Sequence, residues 1–316
     1  MRVLILHDEV RRPDIRPLFL ALQRYAEVSI HALPKAAAER LDGCLQQYNA
    51  ASFDRVLLAL QFRRLFKQRK VLSKLSNLVI FEEDACQDRL THSRWFGKFS
   101  RFYQALPAIR VICTGHGLAH YFQMKGVDAH FLPKGADCNQ LDDERRERDI
   151  ALGFIGVLND RVYRERQRML TTLVEQRGLQ CLRTSGPDEY RQGLNRIRVF
   201  VSADVGFGEY MFKNAEAMAC GCLLLAYSQG AEEDAAMGLR DGINVLLYRD
   251  QAELLAKLDW LAAHPEAYEM IRFAGYQHVR QSLDFSVLAT RLMALLQAPM
   301  RPLPVSRPRW WWFWRN

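Results

Sequence analysis

The sequence lacks the features that mark several large classes of protein. Its 316 residues contain no run of about 20 apolar residues, so no segment is predicted to cross a membrane as a helix. The seven cysteines form no Cys-x-x-Cys pair and no zinc-binding pattern, which favours reduced thiols in a cytoplasmic protein. No Asp-x-Asp motif is present, so the sequence predicts no bound metal. Acidic residues are also missing from residues 301–316, which sets the C-terminus apart from the rest of the chain.

The remaining composition is that of a globular protein of about two domains. Hydrophobic residues make up 49% and charged residues 25% of the chain. Short apolar runs alternate with amphipathic stretches, a pattern typical of βαβ units and parallel sheets. The predicted buried strands cover residues 3–6, 56–60, 78–81, 111–113, 152–156, 199–202, 223–226 and 243–248. We therefore predict an α/β fold with two doubly wound, Rossmann-like, parallel-sheet domains that face a ligand-binding cleft.

A charged segment separates the two sets of strands. Residues 141–149, with the sequence LDDERRERD, are almost all charged and alternate in sign, which predicts an exposed helical turn or linker. A boundary at this segment gives an N-terminal domain over residues 1–143 and a C-terminal domain over residues 150–296. An Arg/Trp-rich tail follows over residues 297–316.

The most informative stretch follows a predicted strand in the second half. Gly206 and Gly208 predict a flexible loop, after which a helix begins near Met211. The positive end of the helix dipole at that point favours a diphosphate. Lys213 and Glu216 lie on one face of this helix, where the lysine is suited to contact phosphate and the glutamate to accept hydrogen bonds from a ribose diol. The alternative is an ordinary surface ion pair between these two residues.

This stretch resembles the C-terminal domain of GT-B glycosyltransferases. Residues 213–221, KNAEAMACG, are similar to the R-x-F-E-A-x-A-x-G motif of the spore-maturation-type group within the glycosyl transferases group 1. Further family motifs follow in the family's order, and the resemblance covers roughly residues 150–296. These motifs are G-x-x-E at 230–233, D-G-x-N-x-L-L at 241–247, H-P-E at 264–266 and A-G at 274–275. The resemblance implies that this domain binds a nucleotide-sugar donor.

The resemblance also implies roles for individual residues. The family's helix glutamate binds the nucleotide ribose, which gives that role to Glu216, and the G-x-x-E motif places Glu233 among the donor-binding residues. Lys213 stands where the family usually has arginine. A lysine supplies the same positive charge but cannot form the bidentate hydrogen bonds of a guanidinium group. Many retaining members have two glutamates with seven residues between them, whereas Glu209 and Glu216 stand one position closer. Lys213 and Glu209 are the candidate catalytic residues.

A second basic patch opens the predicted C-terminal domain. Residues 153–156, GFIG, precede several arginines and resemble the F-I-G…R segment of the family. Gly156 at a strand end is expected to let backbone amides approach phosphate, which a nearby arginine would neutralise. Arg161 and Arg166 both suit this role, and the sequence does not choose between them. The alternative is a solvated basic helix face.

The N-terminal half carries weaker signals. Residues 7–9, His-Asp-Glu, follow the first strand, where the family has a glycine-rich loop. The acidic cluster at residues 81–84 also follows a predicted strand and is expected either at the cleft or in a turn. His116 and His120 are spaced for one helix face but have no third ligand, which does not favour a metal site.

The resemblance implies a hexosyltransferase-like enzyme that moves a sugar from a nucleotide-sugar donor to a glycan or glycolipid acceptor. We expect a retaining, metal-independent reaction with no other cofactor, in which the departing diphosphate helps to deprotonate the acceptor. The expected process is the synthesis of bacterial cell-surface polysaccharide or lipopolysaccharide. A sugar-nucleotide epimerase and a catalytically silent, membrane-associated binding protein are the alternatives.

The last 16 residues, 301–316, predict contact with a membrane surface. They contain four arginines, which account for half of the formal net charge of +8, and four of the six tryptophans. Tryptophan prefers the membrane–water interface, and arginine is drawn to anionic headgroups. We therefore expect a protein held peripherally on the inner face of the cell membrane, with a lipid-linked acceptor and no nucleic acid as partner. The alternative is that these aromatic side chains pack on the N-terminal domain.

Overall fold

Two parallel β-sheets organise the chain. The computed structural model describes residues 1–9, 15–106, 108–157 and 164–301. Within these ranges the N-terminal sheet consists of β1 (Arg2–Asp8), β2 (Glu27–Leu33), β3 (Arg55–Ala59), β4 (Leu78–Glu82), β5 (Arg110–Cys113) and β6 (Asp128–Phe131). The C-terminal sheet consists of β7 (Ile150–Ile155), β8 (Gln180–Leu182), β9 (Ile197–Ser202), β10 (Leu223–Tyr227) and β11 (Leu246–Tyr248). The strand orders are β2-β1-β3-β4-β5-β6 and β11-β10-β9-β7-β8, and all neighbouring strands run parallel.

Helices connect these strands in the described part of the chain. Those of the N-terminal half are α1 (Arg16–Ala21), α2 (Lys35–Ala38), α3 (Leu41–Gln47), α4 (Phe62–Leu65), α5 (Arg69–Leu72), α6 (Lys98–Gln104) and α7 (His116–Met124). Those of the C-terminal half are α8 (Arg164–Arg177), α9 (Pro187–Arg196), α10 (Phe212–Ala219), α11 (Ala231–Ala236), α12 (Gln251–Ala263), α13 (Pro265–His278) and α14 (Phe285–Gln297). Aspartate at 250 followed three residues later by glutamate is a spacing that predicts a helix start, and Asp250 does cap α12 by accepting a 2.8 Å hydrogen bond from the amide of Glu253.

Every predicted strand overlaps an observed one, and the strands that the sequence missed, β2, β6 and β8, all lie at sheet edges. An edge strand is less enclosed than a central strand, so its sequence need not be a continuous apolar run. Strand β2, for example, is mostly exposed or half-buried along its length. The predicted strand at residues 243–248 is shorter in the structure because the side chain of Asn244 holds a turn, accepting from the amide of Arg240 at 2.8 Å.

The charged segment at residues 141–149 is not a helical turn, and parts of it are packed on the C-terminal domain. Arg148 donates to the carbonyl oxygen of Cys220 at 2.6 Å and pairs with Asp143 at 2.9 Å. Asp143 in turn pairs with Arg272 of α13 at 2.7 Å. Of the two predicted alternatives the helical turn is therefore wrong, and the segment is a non-helical linker in which several of the alternating charges find partners in the domain that follows.

The last described helix returns to the N-terminal sheet. Apolar residues of α14 share a core cluster with residues of β1, β3, β4 and β5. Arg55 and Arg110, at the amino ends of β3 and β5, donate to the carbonyl oxygens of Leu296 and Ala298 at 2.8 and 3.0 Å. The predicted C-terminal range of residues 150–296 thus includes a helix that completes the core of the other sheet.

Candidate functional site

A cleft of about 1260 Å³ opens where strands of both sheets end. Its N-terminal wall includes residues 7–9, at the end of β1. Its C-terminal wall is built by the ends of β7 and β9, the loop after β8 and the first turns of α10. The polar and glycine residues of that wall include Gly156, Arg166, Arg183, Tyr190, Asp204, Lys213 and Glu216. The cleft therefore lies where open parallel sheets bind their ligands.

Lys213 lies in the first turn of α10 and is half-buried. Its ammonium donates to the carbonyl oxygen of Ile155 at 2.6 Å and lies 5.1 Å from the centre of the Phe154 ring. Burial lowers the pKa of Lys213, although the nearby charge of Asp204 acts in the opposite direction. No described carboxylate forms an ion pair with this ammonium, so it is suited to bind an anion that enters the cleft.

Gly156 makes room for that ammonium. Its φ of +155° is rarely adopted by other residues, and a Cβ at this position would collide with the Nζ of Lys213 and lie 2.9 Å from the ring of Phe154. The amide of Gly156 donates to the carbonyl oxygen of Leu182 at 3.1 Å. Because the amide is engaged with β8, the geometry does not favour the expected contact between this amide and phosphate. The glycine instead admits the lysine side chain.

Glu216 shares the cleft with Lys213, as the helical spacing predicts. Its Oε2 accepts a 2.5 Å hydrogen bond from the hydroxyl of Tyr190 in α9, and burial raises the pKa of both groups. The alternative of a surface ion pair between Lys213 and Glu216 is not found in the described part of the chain, since each group has another partner. Sequence reasoning missed Tyr190 because 26 positions separate it from Glu216.

Arg166 is the predicted arginine that falls within the described residues, whereas Arg161 lies outside them. Its guanidinium pairs with Asp204, with a 2.5 Å distance between Nη2 and Oδ1, and lies 5.0 Å from the ring centre of Phe207. The pairing offsets the charge of Arg166 at the cleft. Arg183, which the sequence did not single out, lines the same cleft from the loop after β8.

Glu209 is not among the described residues that line the cleft. It is fully buried, and its Oε2 accepts hydrogen bonds from the hydroxyl of Thr114 at 2.7 Å and the ammonium of Lys134 at 2.9 Å. Thr114 follows β5 and Lys134 follows β6, so these contacts tie the C-terminal half to the N-terminal half. The structure does not bring Glu209 together with Lys213 in the cleft, and its geometry favours an interdomain contact over the predicted catalytic role.

Glu233 makes a second contact between the two halves. From α11, its carboxylate accepts hydrogen bonds from the amides of His116 at 3.1 Å and Gly117 at 2.9 Å, at the amino end of α7. Burial raises the pKa of Glu233 to about 7, although the two amides act in the opposite direction. Glu233 is likewise absent from the described lining of the cleft, so the structure separates it from Glu216. Sequence reasoning missed this contact because α11 and α7 belong to different halves of the chain.

The N-terminal wall is held by one buried ion pair. The Oδ1 of Asp8 lies 2.6 Å from the Nη1 of Arg64, and its Oδ2 accepts from the amide of Gln61 at 2.9 Å. His7 is also mostly buried, and its Nδ1 lies 3.0 Å from the carbonyl oxygen of Asp8. These contacts orient the strand end that stands in place of the expected glycine-rich loop.

The other sequence features do not form part of the cleft. The acids at residues 81–84 are not in its described lining, and Glu82 accepts a 2.6 Å hydrogen bond from the buried hydroxyl of Tyr103. Among the described residues, no group of three His, Cys, Asp or Glu side chains is placed to hold a metal ion. No helix among the same residues has the length and hydropathy of a membrane span. The predicted tail lies outside the described residues from residue 302 onward.

Residues 161–294 match a family described as glycosyl transferase-like. This match covers most of the half that provides Lys213 and Glu216. No curated relative matches the sequence.

Several solved structures share the fold of nearly the whole chain. HepE from Anabaena, in complex with UDP, has a TM-score of 0.65 at 12% identity, over 94% of this chain and 99% of that chain. Sucrose-phosphate synthase from Thermosynechococcus elongatus has a TM-score of 0.67 at 13% identity, over 93% and 98% of the two chains. A glycosyltransferase from Rickettsia africae has a TM-score of 0.61 at 8% identity, over 93% and 97%. These similarities confirm the predicted architecture of two parallel-sheet α/β domains.

Proposed function

We propose that this chain is a glycosyltransferase of the GT-B type and that it moves a sugar from a UDP-sugar donor to a glycan or lipid-linked acceptor. The observation that carries the proposal is the half-buried ammonium of Lys213 beside Gly156, at the first turn of α10 and facing the cleft. The structure of HepE with UDP supports the choice of nucleotide, because the two proteins share their fold.

The leaving diphosphate is proposed to lie between Lys213 and the amino end of α10. As the bond between the anomeric carbon and the diphosphate oxygen breaks, negative charge accumulates on the diphosphate. A fixed ammonium and a helix dipole aimed at that charge lower the barrier. Because the ammonium of Lys213 is already held by the carbonyl oxygen of Ile155, little reorganisation is needed when the charge develops.

The ribose is proposed to lie against Glu216. The Oε2 of Glu216 is taken by the hydroxyl of Tyr190, and no described residue donates to Oε1, which leaves that oxygen to accept from a ribose hydroxyl. Tyr190 then acts as a positioning residue that fixes the carboxylate. The loop after β8, which carries Arg183, borders the same side of the cleft and is the expected neighbour of the base.

The reaction is proposed to retain the anomeric configuration. The acceptor oxygen forms its bond to the anomeric carbon on the face that the diphosphate leaves, and the acceptor proton passes to the departing diphosphate. Lys213 and the helix dipole are proposed to neutralise the charge on the diphosphate, so no metal ion is needed for that role. The acceptor is proposed to be a lipid-linked intermediate of bacterial cell-surface polysaccharide or lipopolysaccharide, reached at the inner face of the membrane.

A thermal-shift comparison of UDP, GDP, ADP and CMP tests the donor site. Ligand at a hundred times its Kd stabilises the native state by about 2.7 kcal/mol, and we expect the largest shift with UDP. Glu216→Ala should remove most of that shift. Glu175→Ala, at an exposed position of α8, is the matched control and should leave it unchanged. Unchanged UDP affinity in a folded Glu216→Ala protein contradicts the assigned site.

Product analysis with a UDP-sugar and lipid-linked acceptors tests the reaction itself. Acceptor-dependent release of UDP and a glycoside of unchanged anomeric configuration support retaining transfer. An inverted anomeric centre contradicts the retaining mechanism but not the transfer. An epimerised sugar formed without any acceptor would favour the epimerase alternative, and UDP binding without turnover would favour a silent binding protein.

A further inference from the structure

A large part of the N-terminal half exposes positive charge with almost no compensating acid. Residues 55–81 and 89–127 contain no Asp or Glu. Of the four acids between these segments, Glu82, Glu83 and Asp88 are buried, so they add little negative charge to the surface. Such an asymmetry of charge indicates a partner with negative charge.

Two segments of this half form what we call the basic–aromatic surface, residues 62–74 and 89–101. Its exposed cations include Lys67, Arg69, Lys70, Lys74, Arg94 and Lys98. None of these six forms an ion pair with a described carboxylate. Because none of these cations is held in an ion pair within the described residues, all of them are available to an anionic partner.

Exposed aromatic side chains lie among these cations. Phe66 is 39% exposed and Phe96 is 48% exposed. The ring centre of Phe66 lies 5.5 Å from that of Trp95, and the cations of Arg94 and Lys98 lie 4.9 and 5.4 Å from the Trp95 ring centre. These ring contacts join the two segments into one continuous surface.

The surface also has a rigid base. Below the exposed rings, the buried side chains of Phe62 in α4 and Phe99 in α6 stack with ring centres 3.6 Å apart. Phe62 also makes an edge contact with Trp95 at 5.2 Å. A fixed arrangement of rings and charges presents itself to a partner without first having to be ordered.

The position of the surface connects it to the cleft. Residues 62–74 follow the carboxyl end of β3, and residues 89–101 follow the carboxyl end of β4. The cleft also opens at the carboxyl ends of the strands. Arg64, within the first segment, is the ion-pair partner of Asp8 in the cleft wall. A membrane that lay against this surface would therefore lie beside the cleft entrance.

We propose that the basic–aromatic surface docks on a bilayer of anionic phospholipids, with Phe66, Trp95 and Phe96 at the headgroup boundary and the surrounding cations on the phosphates. Phenylalanine has no polar group to direct towards water, so its exposure is better explained by an apolar boundary than by solvent. This inference rests on the proposed function in one respect, the lipid-linked acceptor. Such an acceptor in the bilayer would lie next to the cleft.

Vesicle sedimentation of the full chain tests the proposal. We expect binding to phosphatidylglycerol-containing vesicles, weak binding to pure phosphatidylcholine, and release in high salt. Neutralising three surface cations in Lys67→Gln/Arg94→Gln/Lys98→Gln should lower the partition coefficient about 100-fold. The second variant, Arg69→Gln/Lys70→Gln/Lys74→Gln, should have a similar effect, and it removes none of the charges that contact Trp95.

A matched control changes three exposed arginines of the C-terminal half, Arg168→Gln/Arg177→Gln/Arg240→Gln. It lowers the net charge by the same three units, and its vesicle binding should stay near that of the wild type. The proposal is overturned if both surface variants that fold bind as the wild type does, or if the control loses as much binding as they do. Equal binding to both vesicle types also overturns it, as does tighter binding to a single-stranded oligonucleotide that the same variants abolish.

The UDP thermal shift, measured on the same proteins, separates this proposal from the proposed function. Variants that lose vesicle binding should keep the UDP shift, because their substitutions lie outside the cleft. A wild-type protein that binds vesicles but shows no UDP shift would contradict the donor site and still support the lipid-binding surface. A wild-type protein that shows the UDP shift but binds no vesicles would support the donor site and contradict the lipid-binding surface.

Discussion

Glu233 predicts a pH-dependent contact between the two halves of the protein. Its carboxylate is almost fully buried and accepts hydrogen bonds from the amides of His116 and Gly117 at the amino end of α7. Burial raises the pKa of Glu233 from 4.5 to about 7. The pH range between these two values is therefore the window in which Glu233 should affect stability.

The sign follows from proton binding. Between pH 4.5 and 7 the folded protein keeps the proton on Glu233 while the unfolded chain loses it, so the free energy of unfolding falls as pH rises through this window. A pKa difference of this size corresponds to about 3 kcal/mol. The stabilising contribution is fully present below pH 4.5 and lost above pH 7.

Glu233→Gln removes the titrating group, although its amide nitrogen cannot accept from a backbone amide as the carboxyl oxygen does. The constant cost of that lost hydrogen bond is the same at every pH, so the test is the pH dependence of the difference in stability. Between pH 5 and pH 8 the stability of the variant relative to the wild type should rise by about 2.5 kcal/mol, because the variant has no carboxyl group to ionise in a buried site. Urea denaturation at intervals from pH 5 to 8 measures the difference at each pH.

The neighbouring substitution Glu232→Gln is the control, since Glu232 is exposed on the same helix. Its stability should follow that of the wild type across the whole range. Other titrating groups contribute equally to the wild type and both variants, so they cancel in the difference. A Glu233→Gln curve that runs parallel to the wild-type curve from pH 5 to 8 would refute the reasoning.

Three further predictions concern the donor site and the tail. Lys213→Ala should lower turnover much more than it lowers the urea midpoint of unfolding, because the cation acts most strongly as charge develops on the leaving group. Wild-type turnover in this variant would show that Lys213 is not catalytic. Transfer should persist in EDTA, and a loss that magnesium or manganese restores would contradict metal independence. A chain ending after Arg301 should fold and keep the UDP shift, because it retains the hydrogen bonds from Arg110 to the carbonyl oxygens of Ala298 and Pro299. Its vesicle binding should be weaker than that of the full chain. Unfolding of this shortened chain would favour a tail packed on the protein.

The sequence alone was sufficient for the elements whose pattern is local. Central strands of a parallel sheet are buried on both faces, so they appear as continuous apolar runs and were predicted close to their observed limits. The cap of α12 was readable because Asp250 and Glu253 lie within one turn. Lys213 and Glu216 were placed together correctly because a helix brings residues three positions apart onto one face.

Only the tertiary structure decided which acids share a site. Glu209, Glu216 and Glu233 lie within one stretch of sequence, yet Glu216 faces the cleft while the other two bind groups from the N-terminal half. Thr114 and Lys134 lie 95 and 75 positions from Glu209, and Gly117 lies 116 positions from Glu233. No local pattern carries that information, because it depends on how the two sheets pack against each other.

The same reason explains the other differences between prediction and structure. The charges of residues 141–149 look solvated in sequence, but Asp143 and Arg148 find partners that are distant along the chain. The apolar face of α14 predicts burial, although nothing in its sequence says that it packs on the first sheet rather than the second. Periodicity fixes which face of an element is buried, whereas the identity of the surface that buries it is a property of the assembled fold.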